Sequence, residues 1–296
     1  MKATQWTFFL DLLGFSEANK NVTSDEKAQE LINFLNSNKE ILEKQNSHEV
    51  IQRYSRDLFD LYKLYEIKYA IISDSIIITL KPKEVANINR ELLEKHSVNA
   101  LLIMIMRIQL LIANCLYQMG FFIRGGVSNS YCDIQGNTGS GLGLINAHEA
   151  ESKIAKYPRI ALSKDISIDT IRRANWLFST MYSHNKLIYK ENDEHFINTL
   201  EFMAAQTDAT NSTNLNAIKK HPTLYMQNCE VTRNFLSIQR EKILEYLNNH
   251  KSAYKSLPPG KEKSIQGKIA KKYMWLKKNH NKTIKSRNKL AEFKIP

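Results

Sequence analysis

A chain of 296 residues that is 43% hydrophobic and 24% charged has the composition of an ordinary soluble protein, long enough for one large domain or a domain with an extension. Its three cysteines, Cys115, Cys132 and Cys229, are odd in number, widely spaced and lack a C-x-x-C pair, which argues against a disulfide framework or a zinc site and fits a reducing cytoplasm. The net charge of +12 lies wholly in Lys251 to Pro296, where 14 Lys and Arg face two acids; the first 250 residues set 28 bases against 28 acids, which argues against a general nucleic-acid surface on the body.

Met1 to Gln5 leads straight into a strand-like run, so no signal peptide is expected. The run WTFFLDLLGF predicts a strand over residues 5–15, and Ser24 with Asp25 and Glu26 predicts a helix start, with helical spacing from Lys27 to Lys44. Glu49 to Lys63 has no clear period and is assigned as helix. Glu66 to Leu80 predicts two strands turned at Ser73-Asp74-Ser75. Helices are expected over Val85 to Lys95 and Val98 to Met119. The second is long enough for a bilayer, but Arg107, Gln109, Asn114 and Gln118 interrupt it, so a helix packed on a sheet is expected and no membrane span.

Phe121 to Val127 predicts a strand. Gly136 to Gly143 holds four of the ten glycines and predicts a loop with unusual backbone angles. A helix over Leu144 to Lys156, a strand over Pro158 to Leu162, a helix over Arg172 to Tyr182 and a strand over His195 to Phe202 follow. Helices over Glu230 to Ala253 and Lys263 to His280 close the chain. The basic tail reads as a solvated helix face ahead of a surface for nucleic acid, anionic lipid or an acidic partner. The order predicts an α+β sheet with helices on one face.

Asp11 and Asp74 each sit in an apolar, β-rich run. A carboxylate there is costly unless its desolvation is compensated, commonly by a metal ion. Gly14 lets the chain bend close to a ligand, and the amides of Leu12, Leu13, Gly14 and Phe15 are placed to face a phosphate. With no His or Cys nearby, Asp11, Asp74 and the Leu12 carbonyl point to Mg²⁺ or Mn²⁺ as cofactor.

Phe9-Leu10-Asp11-Leu12-Leu13-Gly14-Phe15 resembles the F-x-D-I-x-G-F motif of the class III nucleotidyl cyclase family, whose second metal aspartate sits in a hairpin, as Asp74 does here. Ser73-Asp74-Ser75, Ile123 to Val127 (IRGGV), Ala147 to Glu151 (AHEAE), Tyr157 to Ile160 (YPRI) and Lys272 to Asn281 (KYMWLKKNHN) are similar to the bacterial pyrimidine cyclases of the Pycsar anti-phage systems. The resemblance implies a ferredoxin-like cyclase sheet over residues 1–205 and a basic helical extension over 206–296 packed on it. It implies a cytoplasmic homodimer with sites at the interface, using two Mn²⁺ or Mg²⁺ ions per site. The product would be a 3′,5′-cyclic pyrimidine nucleotide plus pyrophosphate, read by a separate effector in antiviral defence. Arg124, the only Arg of the Gly-rich segment, would clamp phosphate or form an ordinary strand-end ion pair.

The wider family's Asn and Arg on the helix after the glycine loop are replaced here by Ile145 and Glu149; Asn146 beside them is a candidate substrate contact or a plain helix residue. The purine-selecting Lys position reads Ala70, with Lys68 one step along the same strand face. This favours UTP or CTP, with a uridylate cyclase set ahead of a cytidylate cyclase. The alternatives are a purine cyclase and a cyclase-like module that binds nucleotide without turnover; no stable nucleic-acid partner is expected.

Overall fold

A computed structural model describes residues 1–56, 59–86, 88–182, 185–285 and 287–296. Its contacts divide the chain into two compact units, Met1–Thr180 with His184–Asn198, and Met181–Ser183 with Thr199–Pro296.

The first unit is built on strand β1 (Trp6–Leu13), whose pleat sorts its residues. Trp6, Phe8, Leu10 and Leu12 are all at most 2% exposed and form one face; Thr7, Phe9, Asp11 and Leu13 form the other. After a short helix α1 (Phe15–Lys20), helix α2 (Asp25–Lys44) starts at Ser24, whose hydroxyl accepts from the Lys27 amide, as the sequence predicts. The assignment of Glu49 to Lys63 as one helix does not hold: helix α3 (His48–Tyr54), a small ladder of β2 (Ser55–Arg56) and β3 (Phe59–Asp60), and helix α4 (Leu61–Leu64) share it, and residues 57 and 58 lie outside the described residues.

Strands β4 (Tyr65–Ile72) and β5 (Ser75–Pro82) form the expected hairpin. Its turn is only two residues long because Ser73 accepts a left-handed φ of 57°. Helix α5 (Arg90–Met119) is one 30-residue helix where two were expected. Ser97 does not break it: its hydroxyl donates to the Leu93 carbonyl and accepts from the Thr4 amide, so the helix continues with that hydroxyl satisfied. α5 is long and apolar enough to cross a membrane, but 67% of its most apolar window is buried inside the protein. Its central Arg107 is buried and donates to the Tyr62 hydroxyl at 3.0 Å. Gly120, at φ 69°, ends the helix, and β6 (Phe122–Ser128) follows.

The glycine-rich segment is not all loop: β7 (Asp133–Gln135) and β8 (Thr138–Ser140) pair across Gly136. Helix α6 (Leu142–Glu149) then runs into one π-helical turn, Ala150–Ile154. β9 (Ile160–Leu162) lies within the expected strand, and helix α7 (Ile168–Met181) begins one turn before the expected Arg172. β10 (Ile188–Glu191) and β11 (Glu194–Ile197) form a second hairpin that the period of the sequence hid; its loop Asn192-Asp193 takes φ 51° and 64°. The strand expected over His195 to Phe202 therefore stops at Ile197.

The seven strands lie in the order β10-β11-β9-β6-β1-β5-β4, all antiparallel except β6 with β9. Helices cover both faces, not one. On the Trp6 face, the Trp6 indole donates to the Ser97 carbonyl of α5 at 2.9 Å, and α2 packs Phe34 against Phe121. On the Asp11 face, α6 lies against β1 and β6, with the Phe9 and His148 rings 4.9 Å apart. Gly126 permits this: a Cβ there would meet the Ala147 carbonyl oxygen at 2.0 Å and the Glu151 amide at 2.7 Å.

The second unit is helical: α8 (Thr199–Ala205), α9 (Ser212–Lys220), α10 (Pro222–Ser256), α11 (Lys261–Lys285) and a final 3₁₀ turn, Asn288–Phe293. α8, inside the 1–205 span assigned above to the first domain, groups with this unit. α10 and α11 pair, with Tyr273 stacked on His250 and tilted against Tyr246. Glu201 on α8 is 2% exposed and takes a two-pronged ion pair from Arg287, at 2.9 and 2.5 Å. Removing one partner strands a buried charge, so Arg287→Met is expected to cost this unit about 3–5 kcal/mol, and adding Glu201→Leu to recover most of it. Urea unfolding followed by fluorescence checks this; a double variant as weak as the single one contradicts it.

Candidate functional site

Asp11 stands near the end of the central strand, paired across the sheet with Ser75 on one side and Arg124 on the other. Directly opposed residues share a face, so Asp11, Ser75, Arg124 and Ile72 lie in one row on the α6 face. The Leu12 amide donates to the Asp74 carbonyl at 3.0 Å, which ties the β4–β5 turn to the end of β1. The turn that carries Asp74 is thus bonded to the residue next to Asp11.

Arg124 donates from Nη2 to Asp11 Oδ2 at 3.0 Å, and the same nitrogen is ion-paired with Glu151. Glu151 sits in the π turn, its side chain only 4% exposed. Burial pushes its carboxyl up from the ordinary range, and the negative charges of Asp11 and Asp74 push the same way against the pull of Arg124. Asp11 and Glu151 thus share the Arg124 guanidinium, and the charge of Asp74 reaches Glu151.

Sequence reasoning missed Glu151. The contact that buries it is tertiary: Ala147 of α6 and Ala150 of the π turn, small residues three apart, approach Gly126, and Glu151 follows them.

The other candidates fall in different places. The Leu12 amide is taken by Asp74, and Leu13 is still paired across to Phe122, so the amides left to turn toward a ligand are those of Gly14, at φ 107°, and Phe15. Ala70 is 1% exposed, sealed in a cluster with Ile77, Cys132 and Ile134 under Phe9 and Leu144. Lys68 is on the same face, about 13 Å down the strands from the Asp11 row. Its amine bonds Asp133 at 3.1 Å, as does that of Lys81 at 3.0 Å, and these two bonds hold the Asp133 carboxyl down at about 2.

Asn146 donates to Ser130 Oγ and Asp165 Oδ2, both at 3.3 Å. Asp165 also accepts from Ser128 at 2.5 Å, Ser130 at 2.6 Å and Ser163. Burial alone would raise the Asp165 carboxyl, but these hydroxyls and the Asn146 amide bring it below its ordinary value. Asn146 and Asp165 line a cavity of about 500 Å³ with Glu149, Lys153 and Lys164. Asp11, Asp74 and Arg124 come together; Lys68, Ala70 and Asn146 do not join them.

Among the described residues no group of three His, Cys, Asp or Glu side chains is placed to hold a metal ion. At the Asp11 corner the side-chain donors available to a cation are carboxylate oxygens, with Asp11 held by Arg124 at 3.0 Å.

No protein-family model matches the chain, and no curated protein does. Among solved structures, the guanylyl cyclase Cya2 is similar at 11% identity and a TM-score of 0.33, over 67% of this chain and 93% of that one. At that score the likeness carries no argument by itself.

Proposed function

We propose that this chain is a nucleotidyl cyclase acting on UTP or CTP, with UTP ahead, which closes the 3′-hydroxyl onto the α-phosphate and releases pyrophosphate. The observation that supports it most is the turn of Asp74 bonded to the residue next to Asp11, with Arg124 on Asp11, on a four-strand order β6-β1-β5-β4 whose connections run βαββαβ, as in a ferredoxin-like cyclase sheet. Asp11, Asp74 and the Leu12 carbonyl would hold Mg²⁺ or Mn²⁺, two ions per site. Bound there, such ions supply charge neutralisation of the triphosphate and acidify the 3′-hydroxyl. Arg124 presents a fork of donors to the phosphates and releases Asp11 when it does so. Gly14, bare of a side chain, lets the Phe15 amide close on the same charge. Glu151 keeps Arg124 aimed while Asp11 changes partner.

The homodimer of this reading would use this face. Ile72, Leu142 and Ile145 stand 46–58% exposed on the hairpin and helix that flank the site, apolar area that a homodimer would cover. The place in antiviral signalling, with a separate effector reading the product, rests on the motif resemblance alone.

Competition binding tests the assignment: Mn²⁺-dependent binding of UTP or CTP in preference to ATP and GTP is expected, whereas equal binding of all four without metal contradicts it. Glu151→Gln removes the charge and leaves Arg124 to Asp11 alone. The Mn²⁺ concentration for half-maximal activity is expected to rise about tenfold, a step of about 1.4 kcal/mol. An unchanged metal requirement in that variant counts against a role for Glu151.

A further inference from the structure

Helix α11 carries a second feature, unconnected with the Asp11 corner. Its buried residues Ala270, Leu276, His280, Thr283 and Ile284 define the face turned into the second unit. On the opposite side stand Lys261, Lys268, Lys271, Lys278, Lys282 and Lys285, each exposed. At about 100° per residue the six fall within a sector of about 120°, and at about 1.5 Å per residue they extend along about 36 Å.

Among the described residues none of the six has a carboxylate partner, in contrast to Lys242, which pairs with Glu245 on α10. Lys263, off this stripe, is tied to the Leu257 carbonyl and the Tyr254 ring. The helix's one acid, Glu262, is exposed and falls outside the stripe, about 100° round the helix from Lys261. The sequence alone shows only an excess of lysine; the structure sorts it into one straight, unneutralised line.

We propose that this lysine stripe binds the phosphodiester backbone of a nucleic-acid duplex. A duplex is itself a straight polyanion with about one charge per 1.7 Å, so it can face all six amines at once, which a compact acidic protein patch cannot. A bilayer fits less well. Surface helices that enter lipid carry a continuous large apolar face beside their lysines, whereas among the described residues α11 exposes only Ile265 and Met274, single side chains at opposite edges of the stripe. The body contributes no competing basic field, because its bases and acids balance. Such contacts read no bases, so the binding is independent of sequence.

The test is anisotropy of the full-length protein with labelled DNA and RNA duplexes of about 24 base pairs, between about 50 and 200 mM salt. Six phosphate contacts give a slope of log K against log salt of about −5. The variant K268Q/K271Q/K278Q/K282Q is expected to cut the slope to about −2 and weaken binding about 100-fold at the low-salt end. Arginine at the same four positions restores both, and K219Q/K220Q, exposed lysines off the stripe, changes neither. Binding of RNA alone, DNA alone or both supports the proposal and identifies the source of the backbone. No binding to either duplex, a slope unmoved by the quadruple glutamine variant, or capture only by phosphatidylserine vesicles overturns it.

Discussion

Asp11→Ala and Asp74→Ala are each expected to reduce turnover by about 10³-fold or more, a barrier increase of about 4 kcal/mol. The expectation follows from placement. Asp11 is held at the end of a fully paired central strand, and Asp74 sits in a two-residue turn whose carbonyl is bonded to the next residue of that strand. Neither side chain supports the core: the buried face of β1 is Trp6, Phe8, Leu10 and Leu12, and the apolar residues of β5 lie beyond Ser75. The variants should therefore melt close to the parent, which separates lost chemistry from lost fold. Activity above about a tenth of the parent in either one contradicts the assignment of these carboxylates.

Gly126→Ala is expected to be as damaging by a different route. The added methyl would fall 2.0 Å from the Ala147 carbonyl oxygen and 2.7 Å from the Glu151 amide, both backbone atoms that no rotamer change can move. Helix α6 must back away from β6. The overpacking itself costs about 3 kcal/mol, and the displacement carries Glu151 off Arg124. Thermal unfolding and turnover measured together check this. A variant with parental melting and parental activity would show that α6 does not bear on the site through Gly126. Gly125 is a less specific test, because a Cβ there would meet the Leu10 side chain at 2.7 Å and the Phe9 carbonyl oxygen at 2.9 Å, both on β1 and neither on α6.

Asp11, Asp74 and the hairpin that carries Asp74 were legible in the sequence because each is a local fact: a carboxylate inside an apolar run, and a polar turn between two β-branched runs. Arg124 was legible because it is the only Arg of its glycine-rich segment. Glu151 was not, because Ala147 to Glu151 reads as a surface helix with two glutamates. Only the approach of that helix to Gly126 buries one of them, while Glu149 stays outside on Lys153. The same approach put a helix on the second face of the sheet. Ala70 and Lys68 illustrate the reverse: alternation gave their shared face correctly, yet it could not show that the β7–β8 arm covers one and salt-bridges the other through Asp133. The continuity of α5 and the β10–β11 hairpin escaped for local reasons, a hydroxyl satisfied inside a helix at Ser97 and a left-handed Asn192-Asp193 pair.

The central claim is that the Asp11 corner closes a pyrimidine nucleoside triphosphate into a ring. Incubation of the purified full-length protein with ATP, GTP, CTP and UTP together and Mn²⁺, with products separated and identified by mass, tests it most directly. One cyclic pyrimidine nucleotide with stoichiometric pyrophosphate, lost in Asp11→Ala, is the predicted result. Cyclic AMP or cyclic GMP as the main product contradicts the choice of base, and no cyclic product from any of the four contradicts the cyclase itself.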